Sequence, residues 1–156
     1  MGLDTTHNCW HGAYSAFMRW RQEIARAAGL PPLELMEGFF APQRTDENFG
    51  GNIPTFYLWP RADDLTASSI KRLEERLPIK WDCLKPSPLH ELLYHSDCDG
   101  EIPAESCGPI ADALETLLPN LTGDFGGHIG DIRSKTQQFI DGLREAADKG
   151  EAVGFH

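Results

Sequence analysis

Apolar residues recur at helical spacing from residue 10 to residue 28, and this is the clearest secondary-structure signal in the chain. Helices need an apolar residue every three or four positions along one face. Gly29 and the pair Pro31–Pro32 follow directly, and both residue types commonly end helices. The pattern therefore predicts an amphipathic helix over residues 10–28, with an apolar face made by Trp10, Ala13, Tyr14, Phe17, Ile24 and Ala28.

Shorter patterns predict the remaining elements. Helices are expected over residues 65–77, 88–94, 104–118 and 131–150, with a turn or two more over 33–38; Asp131 is a good N-cap for the last helix. Short strands are expected over residues 2–7, 53–59, 79–84 and 152–156, and loops over 40–52 and 123–130. With 156 residues and 40% hydrophobic content, the chain is predicted to form one α+β domain over residues 1–156. About five helices pack on a small sheet of three or four short strands in this prediction.

Charge narrows the possible partners. Lys and Arg number 14 against 24 Asp and Glu, which gives a formal net charge of −10. A negative field repels phosphate backbones, so nonspecific DNA or RNA binding is not expected. A small nucleotide can still bind where two or three donors act over a short, weakly screened distance. An acidic surface can also mimic nucleic acid toward a basic partner protein.

The sequence favours a cytoplasmic protein with no membrane partner. No apolar run reaches the roughly 20 residues that span a bilayer, and the N-terminus has no signal-peptide pattern. The four cysteines form no CxxC pair, so we expect them to be reduced. No cofactor is expected, and the sequence leaves homo-oligomerisation open.

Residues 95–106 resemble a calcium loop that has lost its two ends. Asp97, Asp99, Gly100 and Ile102 match the third, fifth, sixth and eighth positions of an EF-hand loop. His95 and Ser106 stand where the first and last acidic ligands belong. We therefore expect a helix–loop–helix turn with calcium affinity no tighter than about millimolar, and His95, Asp97 and Asp99 remain weak metal candidates.

An alternating His7-x-Cys9-x-His11 triplet raises the question of zinc. In an extended strand all three side chains would share one face, and Cys98, Cys107 or His95 would complete a tetrahedral site. In a helix they would scatter and the site would be lost. Since the helical pattern begins at Trp10, the triplet favours a buried cysteine with hydrogen-bonded histidines.

Two segments are candidates for ligand binding. The aromatic helix offers Trp10, His11 and Tyr14 near its start, where a ring can stack on a base. The glycine-rich loop 123–130 carries His128 and precedes a helix with Arg133 and Lys135, an arrangement that suits an anion. Core packing is the alternative interpretation of the rings, and a flexible connector is the alternative for the loop.

A family resemblance rests on three sequence segments: Met1-Gly-Leu-Asp4, Cys9-Trp-His-Gly-Ala-Tyr-Ser-Ala-Phe17 with Arg19-Trp-Arg21, and Leu92-Leu-Tyr-His-Ser-Asp-Cys-Asp-Gly-Glu-Ile102. Together they resemble a small family of uncharacterised proteins encoded in bacterial and phage genomes. The resemblance assigns no catalytic residue. It implies a host-directed role, such as sequestering a nucleotide messenger or blocking a host defence protein.

The leading hypothesis is a non-enzymatic binding protein for a small polar or nucleotide-like molecule, with Trp10, His11, Tyr14, His128 and Arg133 in the site. The sequence lacks the G-x-S-x-G, H-E-x-x-H and G-x-G-x-x-G signatures of common hydrolases and dinucleotide-binding enzymes. Enzymatic activity stays open through Cys98 with His95, or His128 with carboxylates. The alternatives are thus a metal-dependent hydrolase using His, Cys and Asp groups, or an acidic inhibitor that contacts a host protein.

Overall fold

A computed structural model describes residues 2–36 and 79–156. In these ranges the α-helices are α1 (Tyr14–Ala27), α2 (His90–Tyr94), α3 (Ala104–Leu117) and α4 (Ile132–Lys149). The strands are β1 (Gly2–Asp4), β2 (His11–Ala13), β3 (Glu101–Ile102) and β4 (Val153–Gly154). Short 3-10 turns cover Thr6–Asn8, Leu33–Leu35, Trp81–Leu84 and Leu118–Asn120. None of the helices in the described ranges is both long and apolar enough to span a bilayer.

The strands form two antiparallel pairs. β1 pairs with β2, and β3 pairs with β4. Backbone bonds between Asp4 and His156, 2.8 Å and 2.9 Å long, connect β1 to the chain end just beyond β4. The mixture of helices and short strands agrees with the predicted α+β class, but the described strands form two two-stranded sheets instead of one small sheet.

The predicted start of the first helix was wrong. Residues 11–13 are extended because they pair with β1, with Leu3 opposite Gly12, and α1 begins only at Tyr14. Within α1 the predicted apolar face is confirmed, since Phe17 and Ile24 are fully buried. Pairing with a neighbouring strand has therefore overridden the helical pattern over its first turn.

Other predictions had mixed outcomes. The helices predicted over residues 88–94, 104–118 and 131–150 are confirmed, and Asp131 caps α4 by accepting from the Ser134 amide at 2.8 Å. The strand predicted over residues 79–84 was wrong, because Trp81–Leu84 is a 3-10 turn and Ile79 makes one isolated bridge to Met36. Of the predicted turn or two of helix over residues 33–38, the described part contains one 3-10 turn, Leu33–Leu35, and residues 37–38 lie outside the described residues. The predictions for residues 40–52, 53–59 and 65–77 lie outside the described residues.

An aromatic cluster forms the centre of the core. The ring centroids of Trp20 and Phe139 are 4.7 Å apart, and those of Trp10 and Phe17 are 5.1 Å apart. Phe155, beyond β4, packs on Phe17 at 5.9 Å. The cluster therefore joins the N-terminal segment, α1, α4 and the chain end in one packed unit.

A close approach at Gly142 fixes the N-terminal turn against α4. A Cβ atom at position 142 would lie 2.5 Å from the Sγ atom of Cys9 and 2.6 Å from the carbonyl oxygen of His7. Glycine normally weakens a helix interior. Here its missing side chain is what lets residues 7–9 pack directly onto the helix.

Arg21 is a fully buried cation in this core. Its guanidinium forms an ion pair with Asp97 and donates to the carbonyl oxygen of His95 at 2.6 Å. The guanidinium carbon also lies 4.5 Å from the centroid of the Phe17 ring. Burial lowers the pKa of Arg21 to about 10, while the Asp97 carboxylate opposes that shift. These contacts tie α1 to the end of α2 and to the acidic loop that follows it.

We predict that Gly142→Ala destabilises the protein by about 1–3 kcal/mol, because the added methyl group overlaps Cys9 and the His7 carbonyl. Urea denaturation measures this change. Asp141→Ala, at the exposed neighbouring position, is the control and should change the free energy of unfolding by no more than about 0.5 kcal/mol. A stabilised Gly142→Ala protein would show that residues 7–9 do not pack on α4.

We also predict different outcomes at the two aspartates of the acidic loop. Asp97→Ala should cost about 3 kcal/mol, because it leaves the buried Arg21 guanidinium without its counter-charge. Asp99→Ala should cost no more than about 0.5 kcal/mol, because Asp99 is exposed. Denaturant unfolding measures the free energy of unfolding of both variants. Equal decreases for Asp97→Ala and Asp99→Ala would contradict the role given to Asp97.

Candidate functional site

The glycine-rich loop between α3 and α4 lies against the start of the chain. A Cβ atom at Gly12 would be 2.8 Å from the Cβ atom of His128, so the absence of a side chain at position 12 lets the histidine approach β2. On the neighbouring helix the guanidinium carbon of Arg19 lies 5.0 Å from the centroid of the Phe125 ring. The loop is thus held next to β2 and α1, as the ligand hypothesis requires.

Lys135 reaches the same region from the first turns of α4. Its ammonium group lies 4.4 Å from the centroid of the Trp10 ring and donates to the carbonyl oxygen of His11 at 3.3 Å. Burial lowers the pKa of Lys135 from its ordinary value. We call the region formed by His11, Gly12, His128 and Lys135 the histidine–lysine surface.

Two predicted ligand residues, His11 and His128, belong to this surface, and both are exposed. The imidazole of His11 bonds to the carboxylate of Asp4 across the β1–β2 pair. Tyr14 is half-buried at the first residue of α1, directly after β2. His128 therefore lies beside β2, which contains His11, and Tyr14 follows that strand directly in the chain.

The other two predicted ligand residues, Trp10 and Arg133, are not part of the exposed surface around Lys135. Trp10 is 1% exposed and packs under Lys135, so its ring is a core element and has no open face for a base in this conformation. Arg133 is exposed and donates to the carbonyl oxygen of Leu118 at 3.1 Å. Because residues two apart on a helix point to nearly opposite sides, Arg133 faces α3 while Lys135 faces β2. Trp10 is thus buried in the core and is not at an exposed helix start as expected, and Lys135 is a residue of this region that sequence reasoning did not place in the site.

Four of the eight backbone amides of the glycine-rich loop 123–130 are already bonded within the protein. The amides of Phe125 and Gly130 donate to the carbonyl oxygens of Gly130 and Gly126 at 2.9 Å and 3.0 Å. The amide of Gly126 donates to the Asp124 carboxylate at 2.7 Å, and Asp131 caps the helix that follows. These bonded amides are therefore not free to bind an anion in this conformation.

Asp97, the first aspartate of the acidic loop, pairs with a buried side chain of the core. Asp97 pairs with Arg21, and burial raises the pKa of Asp97 although the guanidinium opposes the shift. The ring of His95 lies 4.1 Å from that of Phe155, and its Nδ1 atom donates to the carbonyl oxygen of Ser96 at 2.9 Å. Asp99 is exposed. Across residues 2–36 and 79–156, no three His, Cys, Asp or Glu side chains are grouped to hold a metal.

The His7, Cys9 and His11 side chains diverge. His7 has a positive φ of 57° and bonds to Glu151 at 2.6 Å, whereas His11 bonds to Asp4. Cys9 is buried beside Gly142, and burial raises the pKa of its thiol to about 12. The turn at His7 breaks the alternation that a shared zinc site needs.

Among the described residues, no cysteine thiol is hydrogen-bonded to an imidazole. All four are free thiols, with Cys9 and Cys107 buried and Cys83 and Cys98 exposed. The Sγ atom of Cys98 lies 3.7 Å from the Ser96 hydroxyl, while the His95 ring bonds to the Ser96 backbone. The described contacts therefore do not join Cys98 to His95 as nucleophile and base.

Within the described residues, the Lys135 ammonium carries a charge on the histidine–lysine surface that no carboxylate neutralises directly. Arg21, Arg26, Lys85, Arg144 and Lys149 each pair with a carboxylate. Lys135 has no carboxylate within 4.0 Å in the part of the chain that the structure describes. Its partners are an aromatic ring and a carbonyl oxygen, so the arrangement can bind an anion.

Comparison of the chain with protein-family models, curated proteins and solved structures found no match.

Proposed function

We propose that the protein binds a small anionic, nucleotide-like ligand at the histidine–lysine surface and does not transform it chemically. The observation that carries this proposal is the position of Lys135, whose ammonium is held between the Trp10 ring and the His11 carbonyl without a carboxylate partner. A phosphate or carboxylate arriving there would gain a charge-assisted hydrogen bond.

The surroundings of Lys135 strengthen such a contact. The side chain is half-buried, so a nearby anion is less screened by water than at a fully exposed lysine. The cation–π contact with Trp10 fixes the position of the ammonium before the ligand arrives. His128 adds an imidazole N–H donor beside Gly12, whereas the imidazole of His11 bonds to Asp4 and His11 contributes its backbone carbonyl to the Lys135 contact.

A base or comparable planar group would bind beside the anion contact. Trp10 is buried, so the ring proposed to stack on the ligand is Tyr14, which is half-buried and follows β2 directly. Stacking tolerates many bases because every base has a π face. This contact favours a nucleotide over inorganic phosphate.

The biological role that we propose is sequestration of a nucleotide messenger, in line with the resemblance to proteins of bacterial and phage genomes. A metal-dependent hydrolase is less well supported, because the described His, Cys, Asp and Glu side chains form no metal-holding group. A protein-contact inhibitor would use the acidic surface instead, and it would not need the unneutralised Lys135.

Thermal-shift measurements test the proposal directly. Cyclic dinucleotides, ADP-ribose and common mononucleotides at millimolar concentration should raise the melting temperature through binding to the folded state. Adenosine, compared with AMP, is the matched ligand without phosphate and should give a smaller shift. If none of these compounds moves the melting temperature, the nucleotide hypothesis fails and the protein-contact inhibitor replaces it.

We predict that Lys135→Met weakens nucleotide binding about 10- to 150-fold, which corresponds to one lost charge-assisted hydrogen bond. Methionine keeps apolar contact with Trp10, so the fold should be retained. The loss should be larger at low salt than at high salt, because salt screens Coulomb attraction. Lys149→Met, at the other end of α4, is the control and should bind normally; equal losses in calorimetry would contradict the site.

We predict that Tyr14 contributes to nucleotide affinity through stacking of its aromatic ring. Replacing Tyr14 by Ala is predicted to weaken binding about 5- to 150-fold, the cost of one lost stacking contact. Tyr14→Phe keeps the ring and should bind within a few-fold of the unmodified protein. Calorimetric titration of both variants with the same nucleotide measures the difference, and similar losses in both would assign the effect to the hydroxyl group.

A further inference from the structure

We propose a second binding site for an uncharged, polyhydroxylated molecule of the sugar or polyol class. The site is a groove between the turn at residues 6–8 and the outer face of α4. It is distinct from the histidine–lysine surface and does not depend on the function proposed above. We call it the α4 groove.

Every lining side chain of the α4 groove carries a polar group, and apolar surface comes only from ring carbons, side-chain stems and backbone. The groove has a volume of about 440 Å³, which lies within the range of small-molecule sites. Ligands with a large apolar surface need apolar walls, and no lining side chain of this groove is purely apolar. A molecule that is polar on every side fits it better. The lining residues are His7, Asn8, Ser134, Gln137, Gln138, Asp141, Gly142 and Glu145.

One wall of the groove is held in an unusual backbone conformation. His7 and Asn8 have positive φ angles of 57° and 53°, which side-chain-bearing residues adopt infrequently. Gln138 donates its amide to the Asn8 carbonyl oxygen at 2.9 Å, and His7 bonds to Glu151 at 2.6 Å. Since Gly142 lets this turn sit directly on α4, the wall is fixed before any ligand binds.

The other wall is the solvent-facing side of α4, and it is rich in acceptors. The side-chain amide of Gln137 donates to one oxygen of Asp141 at 2.9 Å, and Lys149 donates to one oxygen of Glu145 at 2.6 Å. Each of these contacts leaves a second carboxylate oxygen as an acceptor. The carbonyl oxygens of Gln137 and Gln138 add to them.

Hydroxyl groups complement this set of atoms. Each hydroxyl can donate to a carboxylate or amide oxygen and can accept from the Asn8 side-chain amide, which makes no hydrogen bond to the described residues. Several hydroxyls on one ring would engage both walls at once. The geometry therefore points to a sugar or polyol.

Chemical-shift mapping by NMR tests this proposal, with glucose, N-acetylglucosamine and myo-inositol as separate probes at millimolar concentration. At least one probe should shift the amide signals of residues 7–8 and 134–145. Asn8→Gly should reduce that probe's affinity about tenfold, the effect of one lost hydrogen bond. Glycine tolerates positive φ, so this variant keeps the turn while removing the side-chain amide.

Two further measurements separate the outcomes. Spermidine probes for an ammonium site, and Asp141→Asn removes charge from the groove while keeping the side chain's shape. Tight spermidine binding that Asp141→Asn abolishes, without a response to the sugars, would overturn the polyol assignment. No shift with any of the three polyhydroxylated probes, or shifts outside the α4 groove, would overturn the site. The Lys135→Met protein should bind the sugars as tightly as the unmodified protein does, which would show that this site is independent of nucleotide binding.

Discussion

The buried guanidinium of Arg21 must keep its charge satisfied inside the core, and much of the local structure follows from that requirement. Removing a cation from water costs several kcal/mol unless a counter-charge and hydrogen bonds replace the solvent. Asp97 supplies the counter-charge, and the carbonyl oxygens of Leu92, Leu93 and His95 accept from the same side chain. These carbonyls lie at the end of α2, where a helix leaves its last acceptors unpaired. One side chain of α1 therefore positions the end of α2 and the acidic loop. That loop contains β3, which pairs with β4.

The Arg21–Asp97 pair also explains why the sequence predicts the turn in the acidic loop but does not predict the partner of Asp97. The spacing of Asp97, Asp99 and Gly100 indicated a turn, and the structure contains one between α2 and α3. The partner of Asp97 lies 76 residues away in sequence, so no local pattern could identify it. A carboxylate that matches a metal-ligand position also suits a buried arginine. The longer helices were predictable because their apolar spacing and end residues agree, as Asp131 and Gly150 show for α4.

The candidate site was harder to predict than the fold. The loop around His128 could be expected near the start of the chain only as a hypothesis, because its path depends on the missing side chain at Gly12. Arg133 and Lys135 are equally basic and two residues apart, but they face opposite sides of α4. Choosing between them requires knowing which side of the helix meets β2. Likewise, Trp10 looked like an exposed helix start, whereas the β1–β2 pair places it under the surface.

An acidic protein can bind a small anion without binding a polyanion, and the reason is the range of the forces. The net charge of −10 acts over the whole molecule, but salt screens exposed charges beyond about 8 Å at physiological ionic strength. A mononucleotide that reaches Lys135 experiences mainly the local ammonium and imidazole groups. A long phosphate backbone would also pass the carboxylates on neighbouring faces, such as Asp124 and Asp131, and would be repelled there. Under the proposed function, the surrounding acidic residues therefore favour a compact ligand, and the half-buried Lys135 provides the local attraction.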